Sequence, residues 1–481
     1  MWNFILLAGI FCHKACDAFQ QSYKSNGRNV VTDLRKNQFS CLLNAPTNIG
    51  PSFDRTLIHL SGTSNAEEPY TVQILMSDTG GGHRASANAL RDAFDELYPG
   101  KILCDIVDVY TDYAPWPMNT AVPAYKIMAE YSFLWDWFYH LGATPFGLWI
   151  NEIFLEATCF DDFKRCLSRP SGTTSTRADM VVSVHPLTQF LPLKVLADLD
   201  SNGQTRDPAR GRTKTPFVTV VTDLGGAHPT WFDPNVDRCY VPSDALYKCA
   251  RDRGIKPEQI IQFGLPIRRG FWGSNDGIKK DNQKAKEELR QKLGIDPNAP
   301  AVLVVGGGDG MGGIVATASS LGDKLAADAQ VLGQKFQMVV VCGNNKNAKE
   351  TLSSRKWNEG VHVAVNGFVN NMDEWMRASD AIVTKAGPGT IAEASICGLP
   401  CLLSSYLPGQ EAGNIPFVEQ NGFGTYKGEP TEIANTVSEW LESPEKLEKM
   451  QNAALKAARP SATLDIAKSI AEILFQKVQK T

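Results

Sequence analysis

The sequence lacks charge of one dominant sign. It holds 48 Lys and Arg against 52 Asp and Glu, a net charge of -4, so there is no basic excess to make nucleic acid the expected partner. Paired cysteines are missing too. None of the 11 cysteines belongs to a CxxC, and beyond the N-terminal segment the closest two are Cys397 and Cys401. That scatter suits free thiols in a reducing compartment better than a disulfide framework or a zinc site. No apolar run approaches the roughly 18 residues a membrane-crossing helix needs. A GK[ST] phosphate loop is missing.

What is present is a soluble globular composition, 43% hydrophobic and 21% charged over 481 residues, long enough for two domains. From Tyr70 onward, short apolar runs alternate with helical periodicity. They lie at 71–76, 101–109, 180–184, 217–221 and 260–265, then at 301–305, 337–341, 361–365, 380–384 and 400–404. Such alternation predicts βαβ units: an α/β chain of two doubly wound, Rossmann-like domains facing a cleft. Residues 1–69 read as a leader, 70–272 as the first domain, 273–299 as a charged linker helix, 300–458 as the second domain and 459–481 as a C-terminal helix crossing back to the first. Residues 168–177 and 198–214 read as surface insertions.

The leader has two parts. "FILLAGIF" (Phe4–Phe11) is short enough for a signal-peptide core, with Cys16 and Ala18 before a cleavage point at Phe19, although a basic start is missing. Between Phe19 and Ala66 there are five Lys or Arg, two Asp and no Glu, the composition of a transit segment. The pair predicts a bipartite plastid leader, with a secretory signal plus disordered pro-segment as the other reading.

Chemistry is expected at the carboxyl ends of the strands. The first candidate is "SDTGGGHRASA" (Ser77–Ala87), where Gly81 and Gly82 let a ligand approach the backbone at a helix start and His83 follows directly. An imidazole of ordinary pKa, ~6.5, suits general-base work. In the second half, "GGGDGMGG" (Gly306–Gly313), with Gly306, Gly307, Gly308 and Gly310, precedes a helix and could cradle phosphates. "TKAGPGTIAEA" (Thr384–Ala394) offers open N–H groups at Gly387 and Gly389; Thr390 and Glu393 fit a capping box, while the same carboxylate could accept ribose hydroxyls. "LPGQEAGN" (Leu407–Asn414) gathers amides and a carboxylate, which suits sugar hydroxyls.

In this order, and with "NGFVNNMDEWM" (Asn366–Met376) between, these pieces resemble the donor domain of two-domain inverting glycosyltransferases (GT-B architecture), the group that includes the bacterial peptidoglycan N-acetylglucosamine transferase. The resemblance implies uracil at the backbone of Phe368 and Val369, ribose at Glu393, and diphosphate at the Gly306–Gly310 loop, Gly389, Thr390 and Arg268. It adds Lys385 and Gly387 to the donor site and places the sugar at Gln410 and Glu411. "PWPMNTAVPAYK" (Pro115–Lys126) and "TDLGGAHPTWF" (Thr222–Phe232) narrow the likeness to the monogalactosyldiacylglycerol synthases of plants and algae, over about Tyr70–Lys480. What this implies is transfer of galactose from UDP-galactose to the sn-3 hydroxyl of diacylglycerol by a peripheral protein of a plastid membrane. His83 would be the base, and Trp116, Pro117 and Trp231 would contact lipid or anionic-lipid activators. No metal or other cofactor is implied, no nucleic acid partner is expected, and a homodimer is compatible with the sequence. The chain departs from the plant pattern at Gly225–Ala227.

Between Pro115 and Gly147 the aromatic side chains, including Trp116, Trp135 and Trp137, are what an interfacial segment uses to enter lipid headgroups. Three other readings stay open on residue type: a metal-dependent hydrolase, if His83, His185, His228 and Asp223 converge; a non-catalytic UDP-sugar-binding membrane protein; and the same fold acting with UDP-glucose or another lipid.

Overall fold

A computed structural model describes residues 68–79, 81–130, 132–171, 177–203, 214–273, 282–306 and 313–476. The leader and Gly307, Gly308 and Gly310 lie outside the described residues. Strands β1 (Tyr70–Met76), β2 (Ile102–Asp108), β3 (Met180–Ser183), β4 (Phe217–Val220), β5 (Arg238–Val241) and β6 (Ile260–Gln262) form one parallel sheet in the order β2-β1-β3-β4-β5-β6. A second parallel sheet joins β7 (Ala301–Val305), β8 (Phe336–Val341), β9 (Val361–Asn366), β10 (Ala381–Lys385), β11 (Cys401–Ser405) and β12 (Gly424–Tyr426), in the order β12-β11-β10-β7-β8-β9. The expected runs all became strands. β5 (RCYV) and β12 (GTY) are strands that the apolar runs do not mark.

Strand order reverses at β1/β3 in one sheet and at β7/β10 in the other, and ligands gather outside the carboxyl ends at such points. Four motifs open there: the Gly81–His83 turn after β1, His185 after β3, Gly306 after β7 and Lys385–Thr390 at the end of β10.

Burial fastens these ends. β1 is almost wholly buried beneath the helix Gly81–Leu97, which sets Ala87, Leu90, Ala93 and Phe94 on it at helical spacing. The C-terminal helix Ala462–Phe475 adds Ile466, Ala467, Ile470, Ala471 and Leu474 to that same core. It is also tied to the end of the first half, because Ile267 N–H donates to Thr463 Oγ1 at 2.9 Å and that hydroxyl donates to Ile267 C=O at 3.1 Å.

The charged helix Asn282–Lys292 does not hang free between domains. Arg290, buried to 2% exposure, donates to Ala378 C=O and to Asp380, and Lys286 holds the other oxygen of that carboxylate at 2.6 Å. The insertion expected at 198–214 also begins later than its composition suggests. The helix Phe190–Ser201 runs through Asp198, and Asp200 pairs with buried Arg177 at 2.5 Å and accepts from Thr215 N–H. Arg177 is therefore part of the packed domain rather than of the surface loop expected over 168–177. Residues 172–176 and 204–213 lie outside the described residues.

Candidate active site

The chain enters its helix at Gly81, so His83 occupies the first helical turn. A Cβ added at Gly81 or Gly82 would meet nothing within 4 Å; these glycines leave open space beside the imidazole. His83 is buried to 6% exposure, and its Nδ1 lies 2.9 Å from Val184 C=O and 3.0 Å from Thr222 Oγ1. A carbonyl can only accept, so Nδ1 carries the proton and Nε2 keeps its lone pair. Burial lowers the pKa to about 4, against smaller opposing effects of the Val184 bond and Asp78. This corrects the ordinary value expected from residue type: the ring is neutral through the physiological range because water is excluded from it.

His185 stands edge-on to His83, ring centroids 4.5 Å apart. Its Nδ1 accepts from Leu187 N–H at 3.2 Å, which puts its proton on Nε2, 2.8 Å from Thr79 Oγ1. Both nitrogens are thus occupied in holding the loops after β1 and β3. His228 lies elsewhere, packed at 4.9 Å against the Tyr139 ring, with Nδ1 2.8 Å from Thr230 Oγ1. The convergence that a metal hydrolase would need is not formed, and among the described residues no group of three or more His, Cys, Asp or Glu could hold a metal ion.

Trp231 requires a correction. Expected at a lipid contact, it is fully buried, its indole donating to Asp223 Oδ2 at 2.6 Å and its ring 6.1 Å from that of His83. A side chain with no surface cannot touch a lipid; Trp231 instead braces the wall behind the imidazole. Burial, with Glu411 adding to it, pushes the Asp223 carboxyl up to about 7 against the indole bond. That bond favours the charged carboxylate, so Trp231→Phe should destabilise the fold by about 1–3 kcal/mol where Asp223 is ionised. The loss should be larger at pH 8 than at pH 5, where the carboxyl is protonated; urea unfolding at the two pH values checks it. Of the other lipid candidates, Trp116 is 77% exposed and Pro117 half-buried.

On the second domain, Gly306 N–H donates to Val341 C=O, and the helix Ile314–Leu332 begins after Gly313, which takes a left-handed φ of 67°. The helix Pro388–Ile396 is capped by Gly387, not by Thr390, so the capping box is not formed. Glu393 is spent otherwise: its two oxygens accept from Arg268 Nε at 2.7 Å and Nη2 at 2.5 Å. The residues assigned to ribose and diphosphate thus hold each other across the domain junction. Gly389 is open to solvent with Thr390 half-buried, the Phe368 side chain is 65% exposed, and Val369 packs on the second core.

In the loop after β11, Glu411 is buried, contacts Lys385 Nζ and accepts from Leu407 N–H at 2.9 Å. Gln410 is half-buried and accepts from the Tyr125 hydroxyl of the first domain at 3.4 Å. Beside it Asn414 bridges the domains, accepting from Gly225 N–H and donating to Ala386 C=O, both at 2.8 Å. Reading motifs had passed over Thr222, Asn414 and Tyr125. All three stand inside quoted motifs, but nothing in residue type says that a threonine supports an imidazole, that an asparagine joins two domains or that a tyrosine reaches Gln410.

Residues 83–267 match the family model described as monogalactosyldiacylglycerol (MGDG) synthase, and residues 301–468 match the glycosyltransferase family 28 C-terminal domain. The chain is 42% identical over 416 residues to monogalactosyldiacylglycerol synthase, chloroplastic, of Spinacia oleracea, covering 86% of this chain and 74% of the relative. It is also 42% identical over 415 residues to monogalactosyldiacylglycerol synthase 3, chloroplastic, of Arabidopsis thaliana, covering 86% and 83%. Among solved structures, MurG of Acinetobacter baumannii superposes with a TM-score of 0.51 at 14% identity over 84% of this chain and all of that one, a likeness of fold that places the two sheets in the GT-B architecture. With curated relatives covered over most of their length, the chain belongs to the monogalactosyldiacylglycerol synthase family.

Proposed function

We propose that the chain transfers galactose from UDP-galactose to the sn-3 hydroxyl of 1,2-diacylglycerol, with inversion, giving monogalactosyldiacylglycerol. The observation that carries this, beside the family, is the neutral imidazole of His83 with its Nε2 lone pair left over, next to two glycines that leave room for an acceptor. Nε2 takes the hydroxyl proton as the acceptor oxygen bonds to the anomeric carbon. The bond from that carbon to the diphosphate oxygen breaks on the opposite face, and UDP leaves with the electron pair. Charge on the leaving group is met by the N-termini of the helices at Ile314 and Pro388 and by Arg268, released from Glu393 as the ribose hydroxyls take the carboxylate. Lys385 and Glu411 shape the sugar loop, and Gln410 contacts the sugar.

No step uses a metal, and among the described residues no helix is long and apolar enough to cross a membrane. Trp116, Trp137, Phe146 and Trp149, exposed on or beside the helices Ala121–Glu130, Ser132–Ala143 and Pro145–Ser168, enter the headgroup layer. Pro117 contacts the same lipid, anionic species included. The relatives' names say "chloroplastic", which supports a plastid location for this chain; the protein works there at a membrane surface that it reaches through its leader. The test is incubation of the full chain with diacylglycerol vesicles and labelled UDP-galactose or UDP-glucose in parallel. Label should enter lipid from UDP-galactose alone and at an undiminished rate in EDTA. Absence of a lipid product from either donor would refute the function, and loss in EDTA would refute the metal-free mechanism.

A further inference from the structure

We infer that the first domain completes the sugar end of the donor site, with Tyr125 and Tyr139 as positioning residues for Gln410; this rests on the reading above that Gln410 meets the sugar. The loop Leu407–Gly413 belongs to the second domain, and its two sugar candidates are held differently. Glu411 is fixed from within that domain, by Lys385 and by the Leu407 N–H. Gln410 follows a tight turn in which its own N–H donates to Pro408 C=O at 2.8 Å and Gly409 takes a φ of +72°.

What presses on that turn comes from the other domain. The Tyr139 ring lies so close to Gly409 that a Cβ there would sit 2.6 Å from Tyr139 Cδ1. Behind Tyr139 stands His228, which caps the short 3₁₀ turn Pro229–Trp231. The Tyr125 hydroxyl donates to Gln410 Oε1. An amide has one acceptor end and one donor end; with Oε1 turned to the Tyr125 hydroxyl, Nε2 is left to supply N–H donors for a sugar hydroxyl. The orientation of a donor-site group is therefore set by the acceptor domain. Tyr125 and Tyr139 sit on Ala121–Glu130 and Ser132–Ala143, the helices of the aromatic segment.

Galactose and glucose differ in one hydroxyl, and a site tells them apart through the placement of individual donors. Loosening Gln410 should cost galactose contacts and leave the nucleotide alone. The experiment compares Tyr125→Phe, Tyr139→Leu and Gln410→Ala with wild type, measuring kcat and KM for UDP-galactose on diacylglycerol vesicles, the galactose-to-glucose preference and the affinity for UDP, which has no sugar. Tyr125→Phe should raise KM for UDP-galactose about 3- to 10-fold, as loss of one hydrogen bond does. The galactose preference should fall while the UDP affinity stays within about twofold. Combined with Gln410→Ala it should add nothing further, since two mutations that cut one contact are not additive.

Unchanged kinetics in Tyr125→Phe with a raised KM in Gln410→Ala would overturn the inference and leave the Gln410 assignment standing. Unchanged kinetics in all three variants would remove both. A parallel loss of UDP affinity and thermal stability in the tyrosine variants would overturn it in favour of ordinary packing. Absence of galactolipid from the wild type would instead mark a failure of the proposed function itself.

Discussion

His83→Ala lowers kcat for galactosyl transfer by about 10³-fold, within the range that positioned proton transfer contributes, and leaves UDP binding intact. The second half of that expectation separates chemistry from folding. His83 lies at the start of its helix, beside glycines whose surroundings are open, and the helix is held by Ala87, Leu90, Ala93 and Phe94 further along. The donor motifs sit on the other sheet. A variant that lost UDP affinity together with turnover would show that the residue holds the fold, and one with full activity would remove the mechanism.

The pH profile is a second readout. With the wild-type ring at about pKa 4 because it is buried, the base is in its working, neutral form above that value and is lost as pH falls through it. The acid limb of kcat/KM therefore lies near pH 4, and an imidazole of ordinary pKa would place it near 6.5. A limb at the ordinary value would mean that water reaches the ring in solution. The low pKa also weakens the base, so bound acceptor and departing diphosphate must supply the negative charge that stabilises the imidazolium once it forms.

The glycines, His83 and the order of donor motifs are legible in the sequence because each marks a backbone event, a strand end followed by a helix start, which apolar periodicity reveals. Legibility stopped where a side chain has two uses. Thr390 and Glu393 have capping-box spacing, yet the helix starts at Pro388 and the carboxylate goes to Arg268; local spacing cannot report a partner 125 residues away. Trp231 has the residue type of a lipid anchor and the surroundings of a core residue, and only tertiary burial tells these apart. His185 and His228 also follow strands of the first sheet, but His185 spends both ring nitrogens on Thr79 and Leu187, and His228 gives its Nδ1 to Thr230 in its own turn.

Gly225 shows the same limit from the other side, because the glycine is visible in the sequence but its close contact lies across the domain junction. A Cβ at this position would stand 1.9 Å from the Gly413 carbonyl oxygen, and a Cβ at Gly413 would stand 2.8 Å from the Gly225 carbonyl carbon. Neither glycine takes a positive φ, so the constraint is contact between two backbones, not conformation. Gly225→Ala must therefore move the loop Thr222–His228 away from Leu407–Asn414 by more than 1 Å to reach ordinary carbon–oxygen distance, stretching the Gly225 N–H bond to Asn414. The two loops carry Asp223 on one side and Gln410 on the other, and misplacement by about 1 Å costs on the order of 10²-fold in rate. Gly225→Ala and Gly413→Ala should each lower kcat by about that factor, with UDP affinity nearly unchanged, because the nucleotide residues other than Arg268 lie within the second domain and neither loop carries Arg268. Gly226→Ala is the internal control: its Cβ would meet only Gly413 Cα at 3.8 Å, an ordinary contact, and its activity should match wild type. Equal activity in all three variants would show that the domains meet differently in the working enzyme. A loss in Gly226→Ala as large as in Gly225→Ala would shift the cause from the junction to the stiffness of the loop.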